Sequence, residues 1–344
     1  MLFKGCRYAF IGIKHYSSVK MAQRFSVLVT RVDVPKESIE LLQKTCEVET
    51  WPKASAIPRD ALLEKIAGKD ALYCQMADKV DKELLNAAGP QLKVIGTMSV
   101  GFDHIDLPEC KKRNILVGNT PDVLTDDVAE LTISLLLATS RRIFEASEEL
   151  RNGKWISCGW APLWMCGTSI KGSTIGIVGM GRIGCAVVEK LQGFKVGQFL
   201  YCGNKQKERA NELGAKFVTF DELLKNSDFI VSCCALNAQT KELFNERAFS
   251  LMKPTAIFIN TSRGGVVDQN ALYQALTTGQ IKAAGLDVMT PEPLPPDHPL
   301  TELNNCVLLP HIGSATVSTR VSMAMLTARN ILAGLEAKPL PSLL

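Results

Sequence analysis

The chain has 344 residues, 46% of them hydrophobic, and a formal net charge of +4. That length suits about two domains with full cores. No apolar run approaches the ~18 to 20 residues of a membrane span. The positive excess is local. Lys4, Arg7, Lys14, Lys20, Arg24 and Arg31 precede the first acid, Asp33, and the chain beyond Arg24 carries −1. A near-neutral body has no basic stripe for a nucleic-acid partner.

Residues 1–23 form a basic, acid-free leader of Ser and aromatic residues. Two readings stay open: a mitochondrial presequence, or a tail ahead of an initiation at Met21 in a cytoplasmic form. The 11 cysteines are odd in number and include no CxxC pair. They predict a reducing compartment and no metal site. Cys233 and Cys234 are expected as small buried hydrophobes on a strand.

Strands and helices alternate along the chain, the pattern of open parallel sheets. Phe25-Ser-Val-Leu-Val is the first strand, 35–44 is helical, and Leu92-Lys-Val-Ile is a further strand before the loop SVGFDHID. A long helix is predicted over 125–142, capped by Thr125 or Asp126, with acids early and Arg141-Arg142 late, as the helix dipole favours. Trp155, Trp160 and Trp164 follow in loop-like sequence. A second alternating block runs from Thr174 to about Asn305. The expected organisation is a leader (1–23), a substrate-binding domain (24–124 plus 308–344) and a dinucleotide-binding domain (125–307). The fold class is α/β, two Rossmann-like domains with parallel sheets around a central cleft.

The strand Thr174-Ile-Gly-Ile-Val runs into Gly179-Met180-Gly181-Arg182-Ile183-Gly184 and then a helical stretch, 185–192. GxGxxG between a strand and a helix is a dinucleotide fingerprint. Gly179 permits the tight turn, Gly181 lets the backbone approach a pyrophosphate, and Gly184 allows close helix–strand packing. The helix N-terminus supplies amide donors to the phosphates. An NAD site places an acid about 20 residues on. Here the second strand, Phe199-Leu-Tyr-Cys, ends at Gly203-Asn204-Lys205, with Lys207 and Arg209 beyond. The missing carboxylate favours NADP(H), with NAD(H) the weaker possibility.

Three late stretches carry acid–base chemistry. Ile257-Phe-Ile-Asn-Thr-Ser-Arg263 puts an Arg at a strand's carboxyl end, where a guanidinium grips a carboxylate or makes a structural salt bridge. Gly285-Leu-Asp287-Val-Met-Thr-Pro291-Glu292-Pro293 holds an acid between prolines. Val307-Leu-Leu-Pro310-His311 delivers an imidazole ahead of a Gly/Ser/Thr turn. Of the other histidines, His15 is in the leader, His104 follows SVGFD, and His298 lies in a Pro-flanked loop. Together the stretches fit reduction of a small 2-keto acid. Arg263 would bind its carboxylate, His311 would donate the proton, and Glu292 would pair with His311 to keep an imidazolium available.

On GMGRIG, NTSRGGVVD, GLDV-x-x-PEPLP and LPHIGSAT, the chain resembles the D-isomer-specific 2-hydroxyacid dehydrogenase family over nearly everything after Gln23. SVGFDHID, TPDVLTDDVAELTISLLLATSRR and PLWMCG resemble the members that reduce glyoxylate and hydroxypyruvate with NADPH. The resemblance implies Arg263, Glu292 and His311 as the catalytic trio, with substrate contacts from Val100 and Gly101. It implies cofactor contacts from Gly179, Met180, Gly181, Arg182 and Ile183, from Gly203, Asn204 and Lys205, and from Ala235, Thr261, Arg263, Asp287 and Gly313. It also implies a homodimer whose Trp160 reaches the neighbour's substrate site. One position departs: Asn204 stands where an Arg is expected. Two other readings remain, an NAD-linked dehydrogenase of another D-2-hydroxy acid and a dinucleotide-sensing, corepressor-like scaffold. Ser342-Leu-Leu lacks the basic residue of a peroxisomal address.

Overall fold

The computed structural model describes residues 24–344; the leader lies outside the described residues. Short aliphatic runs become strands because helices cover both sheet faces, which rewards continuous rather than alternating apolar sequence. The first sheet holds β1 (Phe25–Val29), β2 (Cys46–Thr50), β3 (Ala71–Cys74), β4 (Val94–Thr97) and β5 (Leu116–Gly118), in the order β2-β1-β3-β4-β5. The second holds β6 (Thr174–Val178), β7 (Gln198–Cys202), β8 (Ala215–Phe217), β9 (Phe229–Ser232), β10 (Ile257–Asn260), β11 (Ala283–Leu286) and β12 (Cys306–Leu308), in the order β12-β11-β10-β9-β6-β7-β8. Every paired strand is parallel. In the second sheet the chain steps outward from β6 to β8, then restarts at β9 on the other side of β6. The β6/β9 junction is therefore the switch point, where open α/β sheets bind ligands.

Two long helices cross between the sheets. Val317–Leu335, late in the chain, returns to the first sheet. A Cβ on Gly96 of β4 would lie 2.8 Å from Ile331 of this helix, and one on Gly334 would lie 2.7 Å from Val94. Thr125–Ser140 packs on the second sheet, where a Cβ on Gly285 of β11 would lie 2.5 Å from Thr139 Oγ1 and 2.9 Å from Leu135. Its first turn also reaches the other core: Val128 clusters with Val27, Met323 and Ala324, whereas Ala129, Ile133 and Leu136 cluster with Ile175 and Ile259. One helix thus belongs to both cores.

Four local expectations are corrected. The helix begins at Thr125 without a side-chain cap from Thr125 or Asp126; its N-cap is Leu124, held by burial in the first core. It ends at Ser140, because Arg142 turns into the left-handed region at φ 54°. Cys233 and Cys234 lie beyond β9, where the chain diverges around the glycine loop. Finally, Trp155 is not in a loop but in a short helix, Lys154–Cys158, that follows the helix Ile143–Arg151. Among the described residues, no helix is long and apolar enough to cross a membrane.

Gly285→Ala drives a methyl into Thr139 and Leu135. Overpacking of this kind costs about 1–3 kcal/mol, so the urea midpoint is expected to fall without a change in slope. An unchanged midpoint would contradict the tight contact of helix and β11.

Candidate active site

The glycine loop leaves β6 and meets the chain leaving β9. Gly179 has φ +99°, and a Cβ there would lie 2.6 Å from the Cys234 backbone nitrogen. A Cβ on Gly184 would lie 2.5 Å from the Gly179 carbonyl oxygen, so this glycine is needed for packing the helix Arg182–Leu191 against the turn. Around Gly181 the space is open, and that helix begins with no side-chain cap. Its first amides are left for an anion.

A crevice of about 890 Å³ opens here, lined by Gly179, Met180, Gly181, Gly203, Asn204, Lys205 and Ala235, with Lys207, Cys233 and Cys234. Burial pushes the Cys233 thiol up to about 12, which keeps it from acting as a thiolate. One acid, Glu222, also borders the crevice, but its carboxylate accepts from the Thr219 amide and hydroxyl in a capping box. No carboxylate follows β7 itself. Arg182 pairs outward with Asp122 at 2.8 Å, and Ile183 packs against both cores.

Across the cleft, the loop after β4 faces the turn after β10. Arg263 Nε donates to Asp103 Oδ1 at 2.9 Å, and Nη1 donates to the Ser262 carbonyl at 2.7 Å. A Cβ on Gly101 would lie 1.6 Å from Arg263 Nη2, so the guanidinium rests directly over that glycine. The salt bridge and the free donor edge coexist in one side chain. Buried Asn260 shapes this turn. Its Oδ1 accepts from the Ser262 amide and hydroxyl, and its Nδ2 donates to the Arg263 carbonyl. Thr261 hydrogen-bonds Thr132 of the long helix at 2.7 Å.

The third part is the return from β12. His311 sits at φ 53°, a left-handed conformation that costs a non-glycine residue roughly 1–2 kcal/mol. Asp287 holds it there. The Asp287 carbonyl accepts the His311 amide at 2.9 Å, and its two carboxylate oxygens accept the Ile312 and Gly313 amides at 2.8 Å each. Asp287 is 1% exposed, and burial pushes its carboxyl up against the pull of those amides and of His311.

Glu292 Oε2 lies 2.7 Å from His311 Nδ1, and Oε1 accepts the Met289 amide at 2.9 Å. Burial pushes the Glu292 carboxyl up. The His311 bond and charge, the Met289 amide and Arg263 outweigh that and hold it below the usual range. An ionised carboxylate only accepts, so Nδ1 carries the hydrogen and Nε2 is left to exchange a proton. Trp160 is 94% exposed and makes no hydrogen bond among the described residues.

Sequence reasoning missed Asp103, Asn260 and Ser262, which position Arg263. Asp103 had a signal, as an acid within SVGFDHID; Asn260 and Ser262 had only their place between β10 and Arg263.

Residues 133–313 match the model of the D-isomer specific 2-hydroxyacid dehydrogenase NAD binding domain. The chain belongs to that family. It is 54% identical over 319 residues to the glyoxylate reductase/hydroxypyruvate reductase of Homo sapiens, covering 92% of this chain and 96% of that one. With the Mus musculus protein of the same name it shares 53% over 327 residues, 94% and 99% of the two chains. A solved NADPH-dependent glyoxylate/hydroxypyruvate reductase of Sinorhizobium meliloti, in complex with NADP and malonate, superimposes with a TM-score of 0.82 at 31% identity, over 94% of this chain and 97% of that one. As a D-2-hydroxyacid dehydrogenase, the protein is an oxidoreductase with a dinucleotide-binding domain of the family type.

His104, beside Asp103, generates a pH prediction. Burial lowers it from 6.5 to about 4, with Asp103 opposing the shift and Arg263 adding to it; its Nε2 hydrogen-bonds Thr97. The fold keeps it neutral while the unfolded chain takes a proton below 6.5. Its contribution is therefore whole above pH 6.5 and is lost as pH falls, levelling near 4. The loss is about 3 kcal/mol, at 1.36 kcal/mol per pKa unit. Denaturant titrations at pH 7 and pH 4.5 are expected to show this loss in the wild type and a smaller one in His104→Gln; equal losses would contradict it.

Proposed function

We propose that this protein reduces glyoxylate to glycolate and hydroxypyruvate to D-glycerate with NADPH. The observation that carries the reading is the convergence of Arg263 over Gly101 with the Glu292–His311 pair, beside the crevice of the glycine loop. A 2-keto acid carries its carboxylate and its carbonyl on adjacent carbons, and the cleft offers one group suited to each.

The carboxylate docks on the free Nη2 edge of Arg263 and on the backbone amide of Gly101. Asp103 on Nε and the Ser262 carbonyl on Nη1 fix the guanidinium and leave Nη2 without an acceptor among the described residues. The keto oxygen is directed to His311 Nε2. The nicotinamide, when bound, supplies the hydride. As negative charge develops on the keto oxygen, His311 gives up its Nε2 proton while Glu292 holds the ring through Nδ1.

The Gly179–Gly181 turn and the open helix N-terminus would hold the pyrophosphate. Lys205 and Lys207 suit a 2′-phosphate, and the end of β7 offers no carboxylate to repel it. Asn204, where an arginine was expected, makes these two lysines the principal cations. The similarity to reductases of the same two substrates, and to one in complex with NADP, supports the reading.

The proposal includes a homodimer. Ile156 in the helix Lys154–Cys158 and Trp160 and Leu163 just after it stand almost fully exposed. Large apolar side chains left exposed so close together in the chain support an interface there. Sedimentation should return twice the chain mass; a monomer would overturn this part.

The deciding assay follows cofactor oxidation with glyoxylate, hydroxypyruvate and pyruvate, each with NADPH and NADH. Turnover of the first two with NADPH is expected; none with either cofactor would sink the reading. His311→Ala is expected to lose roughly 10²–10⁴-fold in kcat while still binding NADPH. Arg263→Ala should chiefly raise KM, by about ten- to a hundredfold for a charge-assisted contact. Lys205→Glu should lower NADPH affinity about tenfold or more and leave NADH little changed. Equal effects on both cofactors would remove Lys205 from the 2′-phosphate site.

A further inference from the structure

The segment after the last long helix folds back onto the substrate side of the molecule. Leu343 bridges Gly118 in antiparallel fashion, and the Leu344 amide donates to the Val117 carbonyl at 2.9 Å, so the segment extends the edge strand β5. Between them and the core lie two buried asparagines. Asn330 Oδ1 accepts the Ser342 amide at 3.0 Å, and Asn330 Nδ2 donates to the Asn119 carbonyl at 2.9 Å. The Ser342 hydroxyl donates to Asn119 Oδ1 at 2.8 Å. With Oδ1 satisfied in this way, the Asn119 amide group is fixed in orientation. Its Nδ2 donates to the Val100 carbonyl at 2.9 Å.

The consequence follows from the planarity of the peptide. In a trans peptide the carbonyl of Val100 and the amide of Gly101 point in opposite directions. Pulling that carbonyl back toward Asn119 turns the Gly101 amide the other way. Ser99 does the same one residue on, its hydroxyl donating to the Gly101 carbonyl at 2.6 Å. The Gly101 amide has no acceptor among the described residues. Gly101 itself lies against Arg263 Nη2, where a second donor to a carboxylate belongs.

We propose that Ser342, acting through Asn119, is a positioning residue that sets the Gly101 amide for the substrate carboxylate. The proposal rests on the 2-keto acid reading above. Ser342 touches neither substrate nor cofactor; it holds the amide group that holds the peptide. Sequence reading met Ser342-Leu-Leu only as an incomplete targeting signal. In the fold the segment buttresses the site, some 240 residues from the loop it serves.

The test is Ser342→Ala in the full chain, with Ser342→Thr as the variant that keeps the hydroxyl. Losing one supporting hydrogen bond predicts a glyoxylate KM raised roughly three- to tenfold, with kcat and NADPH affinity within about twofold of wild type. Ser342→Thr should stay near wild type. Hydrogen exchange of the segment that contains Gly101 should quicken in Ser342→Ala. This readout needs no turnover. If the wild type reduces no 2-keto acid, the functional reading has failed, and exchange at Gly101 alone then decides whether the tether exists. Unchanged KM and unchanged exchange in Ser342→Ala would overturn the proposal. So would a parallel loss of substrate and NADPH affinity, which marks general loosening of the fold.

Discussion

Asp287 is the residue on which the site depends. It follows β11, is almost wholly buried, and uses its carbonyl and both carboxylate oxygens on the amides of His311, Ile312 and Gly313. Those three bonds carry the unfavourable left-handed backbone of His311. They also fix the point at which the chain leaves the second sheet for the helix Val317–Leu335 on the first. A buried carboxylate without an ion-pair partner is destabilising unless its oxygens are satisfied. Here the satisfaction and the placement of the imidazole come from the same contacts.

The two sides of the cleft are built by different means. On the second sheet, Arg263 and His311 follow directly on strands, and short polar turns lock them: Asn260 and Ser262 for one, Asp287 for the other. On the first sheet, the loop 98–105 is held from behind by side chains of its neighbours, with Asn119 on Val100 and Thr97 on His104. Asp103 then reaches across to Arg263. Both cores share the helix Thr125–Ser140, so a change in the spacing of the sheets is felt at its first turn.

The cofactor crevice follows from topology and from glycine. Reversal of strand order at β6/β9 opens the sheet, and glycines at 179 and 184 let the turn and helix approach to distances a Cβ forbids. Cys233 and Cys234 line this crevice just past β9, which stops at Ser232, and each packs against a different core, as small hydrophobes do.

Local chemistry made much of this legible from sequence. Apolar runs marked the strands, GxGxxG marked the dinucleotide turn, and Arg263, Glu292 and His311 stood out as polar residues at strand ends or between prolines. Those signals are short-range: they depend on residue type within a few positions. The cap of the Thr125 helix was misread because burial of Leu124, a tertiary effect, decides where the helix begins. The partners of Arg263 were not legible either, since Asp103 is 160 residues away and nothing local announces the pairing. Ser342 and Asn119 are 223 residues apart and meet only because the last helix crosses back to the first sheet. The sequence by itself determined the elements, the dinucleotide turn and the identity of the reactive groups. The tertiary structure alone decided which way each group faces, because orientation is set by hydrogen bonds between segments that the chain brings together only on folding.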